Sequence, residues 1–212
     1  MNTAPNVLVV AVDTQGDFVL VRGLLPVKGA QQMIGAMTAY VATLDPNEVA
    51  GFLATFDTHD LETFIGSPEN LGDETLGIQG FDIHCEKGTA GWENVINLRI
   101  PHALGIPTYK LEKGVFDMWE EPNIVIERLH ASEPVRARRA FFERQKARGV
   151  DTIRIFGFAS DFCVRWAIEG FLLMGFKVQI VEDLVAGIVD DMRSTVAKHF
   201  DVRFPGMVEF VR

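Results

Sequence analysis

"TIRIFGFASDFCVRWAIEGFLLMGFKVQIVE", residues 152–182, reads as strand, helix and strand in that order. The run 152–158 is almost continuously apolar and rich in Ile and Phe, as a strand covered on both faces must be. Residues 162–174 carry apolar side chains at helical spacing, and 177–182 returns to a short strand-like run. Two strands joined through a helix run parallel, which predicts a right-handed crossover in an open sheet with helices on both sides. Outward from this unit the alternation recurs. Strands are predicted at 6–12 (NVLVVAV), 49–56 (VAGFLATF) and 108–111 (TYKL), with a further candidate at 207–211. Helices are predicted at 30–44, 134–147 and 190–199. The fold class is therefore α/β, and residues 1–212 are expected to form one domain, because this length suits one sizeable core and is short for two.

The rest of the composition narrows the partners. A formal net charge of −9 argues against nucleic acid or an anionic membrane surface. No apolar run approaches the ~20 residues that span a bilayer, and the start of the chain lacks the cationic residues of a secretory signal. Two cysteines cannot build a disulfide framework, so a cytoplasmic, reducing setting with free thiols is expected. There is no GxGxxG and no P-loop, hence no motif for nucleotide binding at this sheet. A small molecule is the expected substrate. Two poorly patterned stretches stand out. Residues 58–107 are too long to be an idle loop. Residues 114–132 suit a lid or a subunit contact, and the apolar, Trp-bearing segment 114–126 offers a face for a homo-oligomer.

In an open parallel sheet the strands end at one edge, and ligands bind in the crevice there. Polar residues just past the strand ends therefore meet in space. The four predicted strands 6–12, 49–56, 108–111 and 152–158 run into Asp13, into Asp57-Thr58-His59, into Lys113 and into Ser160-Asp161-Phe162-Cys163. Cys163 falls in the first turn of a helix, with Ser160 or Asp161 as the expected N-cap. The helix dipole and a nearby Lys113 would stabilise a thiolate there, and backbone N–H groups of the same turn could hold an oxyanion. Cys163 is thus the candidate nucleophile, Asp13 the candidate base for its proton and later for a water, and Asp17 a structural carboxylate. Cys85 reads as a structural thiol. Asp57-x-His59 places two ligands on one turn, and His84 adds a third from the long loop. Oxygen with two imidazoles suits a divalent metal, zinc first and iron or manganese after it. Glu69 is preferred over Glu62 as a further carboxylate. His102, His130 and His199 receive no role.

The ordered set "VDTQGDF", "FDTHD", "IHCEKGTAGW", "EKGVF" and "GFASDFCV" resembles the isochorismatase-like cysteine hydrolases, and within them the nicotinamidases and pyrazinamidases. The similarity runs from residue 8 to about 188. It implies a three-layer α/β/α, Rossmann-like open parallel sheet of strand order 3-2-1-4-5-6. It implies a catalytic triad of Asp13, Lys113 and Cys163. It also implies metal ligation by Asp57, His59 and His84, with Glu69 as a fourth ligand across an apparent insertion, "LGDETLGIQG". A cis peptide at 158–159 is implied too, with the Ala159 and Cys163 N–H groups as oxyanion hole. Phe18, Phe81, Phe116 and Trp119 become candidates for an aromatic sandwich around a flat substrate. The implied activity is hydrolysis of the nicotinamide carboxamide through a cysteine thioester. The alternative is the same chemistry on another small amide, ureido or carbamoyl compound.

Overall fold

A wholly apolar run is stable only where both its faces are covered, and β1 (Val7–Val12) is buried at every position. The computed structural model describes residues 5–73 and 78–212. Residues 74–77 of the apparent insertion lie outside the described residues. After β1 the chain forms α1 (Gly16–Val19), α2 (Ala30–Ala42) and β2 (Val49–Asp57). The long segment that follows holds α3 (Leu61–Phe64), α4 (Pro68–Leu71), the two-residue strands β3 (Gly72–Asp73) and β4 (Ile78–Gln79), and α5 (Arg99–Ala103). Then come β5 (Thr108–Lys113), β6 (Val125–Arg128), β7 (Arg136–Ala137) and α6 (Arg138–Ala147). The chain closes with β8 (Thr152–Phe158), α7 (Cys163–Leu173), β9 (Lys177–Ala186), α8 (Met192–His199) and β10 (Val208–Val211).

The main sheet has the order β10-β9-β8-β1-β2-β5-β6-β7. Its six long-range strands from β10 to β5 pair parallel throughout. Counted in chain order these six read 3-2-1-4-5-6, so the expected order holds. Two short antiparallel strands, β6 and β7, extend it beyond β5. β6 comes from the poorly patterned stretch 114–132, where it alternates exposed and buried residues, and β7 occupies the start of the helix predicted at 134–147. Because Arg136 and Ala137 pair with β6, α6 begins at Arg138 rather than near 134. The apolar residues of the segment offered as a face for a second copy largely pack within the chain itself, Met118, Ile124 and Ile126 all being buried.

Helices flank the sheet, and large aromatic rings fill the space between. Phe142, Phe171 and Phe176 are fully buried, with the first two 5.1 Å apart at a near-perpendicular angle. Each such ring contributes roughly 2–3 kcal/mol by leaving water. Gly157, one residue from the end of β8, sits at φ +120°, and a Cβ there would fall 2.0 Å from the Val12 carbonyl oxygen. Only glycine lets β8 pass β1 this closely at the point where the chain turns toward Cys163. Among the described residues no helix is long and apolar enough to cross a membrane.

Candidate active site

Every residue singled out at the rim arrives there. Asp13 follows β1, Asp57 ends β2, Lys113 ends β5, and Cys163 opens α7 after β8. Asp57 and Lys113 are register partners in adjacent parallel strands. Asp13, Asp57, Lys113 and Cys163 are all buried. Lys113 Nζ lies 2.9 Å from Asp13 Oδ2, 3.0 Å from Asp57 Oδ1 and 3.4 Å from Cys163 Sγ. One cation thus touches both carboxylates and the thiol. Burial alone would lower the Lys113 pKa, but Asp13 and Asp57 outweigh it and hold the amine well above its usual range.

Asp13 is aimed by neighbours that the sequence reading did not single out. It adopts a left-handed φ of +46°. Its Oδ1 accepts a 2.5 Å hydrogen bond from Thr55 Oγ1, which in turn accepts from the Asp13 N–H. Gln15, fully buried, donates to the Asp57 carbonyl and accepts from the Asp57 N–H. Thr55 shares a strand face with Asp57, so the alternation of β2 is the signal that could have found it. Asp17 is structural as expected, its oxygens accepting from the N–H groups of Leu24 and Cys85. Burial pushes the Cys85 thiol up, as suits an inert core sulfur.

Beside Lys113 the second cluster forms. Ligand atoms of Asp57, His59, Glu69 and His84 all lie within 4.8 Å of one another, and all four residues are buried. Glu62 is exposed and takes no part. Asp57 Oδ2 lies 2.9 Å from His59 Nε2 and 3.0 Å from His84 Nε2. Glu69 Oε2 lies 3.2 Å and 3.7 Å from the same nitrogens. Yet neither Glu69 oxygen has a partner aligned for a hydrogen bond among the described residues. His84 Nδ1 faces the Asp82 carbonyl at 2.8 Å and must donate to it, so in the neutral imidazole the lone pair lies on Nε2, toward Asp57. At 3.0 Å from the carboxylate, that position is filled either by a proton or by a metal ion. Ligand atoms held about 2.1 Å from a tetrahedral ion lie roughly 3.4 Å apart, within the range seen here. Oxygens and imidazoles in this arrangement fit a divalent metal of the zinc, iron or manganese kind.

The electrostatics agree. Burial would lower the His59 imidazole, but its hydrogen bond to Asp57 and the nearby Glu69 carboxylate raise it to about 9. His84 is raised against burial by Asp57. Burial would raise Asp57, but Lys113 and both histidines hold it well below the usual carboxylate range. Glu69 is pushed up by burial and by the Asp57 charge. The buried carboxylates that raise both imidazoles would equally favour a divalent cation, which would displace those protons. Asp57 is the hinge between the two clusters, one oxygen on Lys113 and the other on the histidines.

Three expectations require correction. The first concerns the thiol. Burial raises Cys163 well above its usual range, and Asp13, Asp57 and Glu69 add to this against the single lowering effect of Lys113. Burial is the largest of these influences, so the helix start and Lys113 do not leave the thiol lowered as expected. The second concerns the cap. Phe162 holds the N-cap position, with no side-chain cap bond. Asp161 instead accepts hydrogen bonds from the N–H groups of Ile188, Val189 and Asp190, at 3.0, 2.6 and 2.9 Å, and Ser160 Oγ donates to the Asp190 carbonyl. The third concerns Trp119. It lies over Gly170 on α7, packs on Phe142 and Phe171, and carries Arg138 on its ring, away from the site.

The peptide between Phe158 and Ala159 is cis, as the resemblance implies. Among the described residues the Ala159 and Cys163 N–H groups donate no backbone hydrogen bond, so both are free for an oxygen in the crevice. The space above them is narrow, about 260 Å³ when counted out through its open mouth. Phe18, Phe81 and Phe116 line it as expected, and Phe162, Leu25 and Ile188 join them. Phe81, Phe116 and Phe162 form a mutual aromatic cluster with centroids 5.4–5.9 Å apart. Ile188 reaches the cavity on the loop that Asp161 anchors. A Cβ on Gly187 would fall 1.9 Å from the Asp190 carbonyl and 2.3 Å from Ser160 Oγ, so this loop closes only with glycine there. Asp161→Ala is expected to cost about 1–3 kcal/mol and to lower kcat/KM about tenfold by releasing Ile188. Thermal unfolding and steady-state kinetics check both; unchanged kinetics would detach the loop from the site.

No family model and no curated protein matches this sequence. Solved structures do. PnC1 from L. infantum in complex with nicotinate is 21% identical, covers 99% of this chain and 94% of its own, and superposes with a TM-score of 0.66. The pyrazinamidase of Pyrococcus horikoshii in complex with zinc is 22% identical over 98% and 99% of the two chains, with a TM-score of 0.65. The chain shares their fold. N-carbamoylsarcosine amidase from Thermoplasma acidophilum also has this fold, at 19% identity, coverage of 98% and 96%, and a TM-score of 0.63.

Proposed function

We propose that this chain is an amidohydrolase that cleaves a small carboxamide through a cysteine thioester, with nicotinamide as substrate. The observation that carries the reading is Lys113 Nζ in simultaneous reach of Asp13, Asp57 and the Cys163 sulfur in a buried rim. Cys163 attacks the amide carbon while its proton passes to Asp13. In this reading the transfer and the attack are concerted. The Ala159 and Cys163 N–H groups hold the tetrahedral oxyanion. Asp13 hands the proton to the departing nitrogen, the C–N bond breaks, and ammonia leaves the thioester. Asp13 then takes a proton from water as its oxygen attacks the thioester carbon; the C–S bond breaks, the carboxylic acid leaves, and Asp13 returns the proton to the sulfur. Throughout, Lys113 keeps its charge and balances the sulfur as it becomes negative. A divalent ion held by Asp57, His59, Glu69 and His84, zinc by our reading, would supply a Lewis-acid centre beside these groups.

The substrate assignment rests on the walls. Phe18, Phe81, Phe116 and Phe162 present flat apolar surfaces around a small polar end, which suits a single aromatic ring bearing an amide. The nicotinate bound to the L. infantum neighbour supports the same choice. A non-aromatic ureido substrate is the second reading, favoured by the carbamoylsarcosine amidase of like fold. Ammonia release from nicotinamide, pyrazinamide, N-carbamoylsarcosine and simple aliphatic amides separates them. Turnover is expected for the two aromatic amides, lost on chelation and restored by zinc. Glu69→Gln should weaken zinc binding at least tenfold by calorimetry, since it removes one anionic ligand of four. Hydrolysis of the aliphatic compounds alone would overturn the nicotinamide assignment. We place the enzyme in the cytoplasm, where its thiol stays reduced.

A further inference from the structure

A second cavity lies on the opposite edge of the sheet. It holds Arg128, Arg136, Arg144 and Arg148, four of the 20 cationic residues in a chain of net charge −9. The strand register explains their meeting. Arg128 of β6 stands opposite Tyr109 of β5, and Arg136 of β7 stands opposite Ile126, two residues before Arg128, so these side chains share one sheet face. Helix α6 supplies Arg144, with Arg148 one turn on just beyond its last residue. Basic residues near a helix C-terminus complement the dipole and would account for Arg144 and Arg148. They do not account for the two arginines from the strands.

One carboxylate, Glu133, lines the cavity and pairs with Arg128. Arg136, Arg144 and Arg148 have no ion-pair partner among the described residues. A second observation is independent of charge. Gln145 is 2% exposed, and its side chain lines the same cavity. Its amide is not among the buried polar atoms shut off from water, so it opens onto the cavity and is available to a polar ligand group. The floor beside it is apolar: the Tyr109 and Phe141 rings lie 4.8 Å apart, edge to face. The space, including its open mouth, is about 1120 Å³.

We propose that this cavity binds a phosphate monoester of a small, flat organic molecule. Guanidinium groups match phosphate oxygens in pairs, and arginine is better suited to this than lysine. The Gln145 amide offers a donor and an acceptor to the organic part, which lies against Tyr109 and Phe141. Tyr109 sits four residues before Lys113 on β5, roughly 13 Å along the strand, so the ligand does not compete with an amide at the rim.

Calorimetric titration of the full chain with adenosine monophosphate and phenyl phosphate, beside adenosine and inorganic phosphate, tests this. At least one monoester is expected to bind saturably at one site, ten times or more tighter than adenosine and inorganic phosphate. Arg136→Ala/Arg144→Ala should weaken it at least tenfold, with the unfolding midpoint and amide turnover kept. Gln145→Leu should weaken the monoester and leave inorganic phosphate unchanged. Failure of both monoesters to bind saturably, equal affinity for inorganic phosphate, or indifference to the double substitution would overturn the proposal.

Discussion

Cys163→Ser is expected to lower amide turnover by about 10⁴-fold or more while the fold and zinc content stay as they are. Removing a nucleophile that acts as part of a unit costs rates of this order. Serine keeps a hydroxyl at the sulfur position, close to Lys113, so neither packing nor the cation's surroundings change much. What it loses is nucleophilicity. The proton on a serine hydroxyl is held far more tightly than that on a thiol, so the attacking anion forms far less readily. The alternative of direct attack by a metal-activated water leaves Cys163 structural and predicts near-normal turnover in the serine variant. Steady-state kinetics with zinc content measured on the same sample therefore separates the two. Retention of even a tenth of the wild-type rate would remove the thioester from the mechanism.

The parts of this site that could be read from sequence are those set by the sheet. A strand buried on both faces must be a continuous apolar run, so 6–12, 49–56 and 152–158 announce themselves. Once those strands are parallel, Asp13, Asp57, Lys113 and Cys163 must share an edge, whatever lies between them. The parts that could not be read depend on three-dimensional neighbours. Nothing local says that Thr55 holds the Asp13 carboxylate. Nothing local says that the two oxygens of Asp57 divide between Lys113 and the histidines. The thiol is the sharpest case. A helix start and a lysine argue for a thiolate, but the sum includes Asp13, Asp57 and Glu69, each from a distant part of the chain. Trp119 misleads for a related reason, since an aromatic residue in an irregular stretch can face the site or the far side of α7. Short edge strands such as β6 and β7 escape because four alternating residues carry too little pattern.

Lys113→Met should destabilise the folded chain by about 3–5 kcal/mol and abolish turnover. Lys113 is 2% exposed and is the cation nearest to Asp13. Methionine fills similar volume, so packing alone predicts a loss under about 1.5 kcal/mol. The larger figure comes from what remains. The Asp13 Oδ2 atom is buried with no aligned hydrogen-bond partner even in the wild-type arrangement, and without the ammonium 2.9 Å away it faces an apolar stem. Asp57 loses the same cation at 3.0 Å but keeps its histidines. Most of the cost should therefore reside in Asp13. In a chain of this size 1 kcal/mol moves the melting point by about 2–4 °C, so the single variant should melt roughly 10 °C lower. Asp13→Asn added to Lys113→Met removes the stranded charge and should recover about half of that loss, with turnover still absent. A double-mutant cycle on unfolding free energies reads this coupling directly. A lysine that merely covered the rim would give additive effects below about 1 kcal/mol, and that result would break the link between the amine and the carboxylate on which the proton transfers depend.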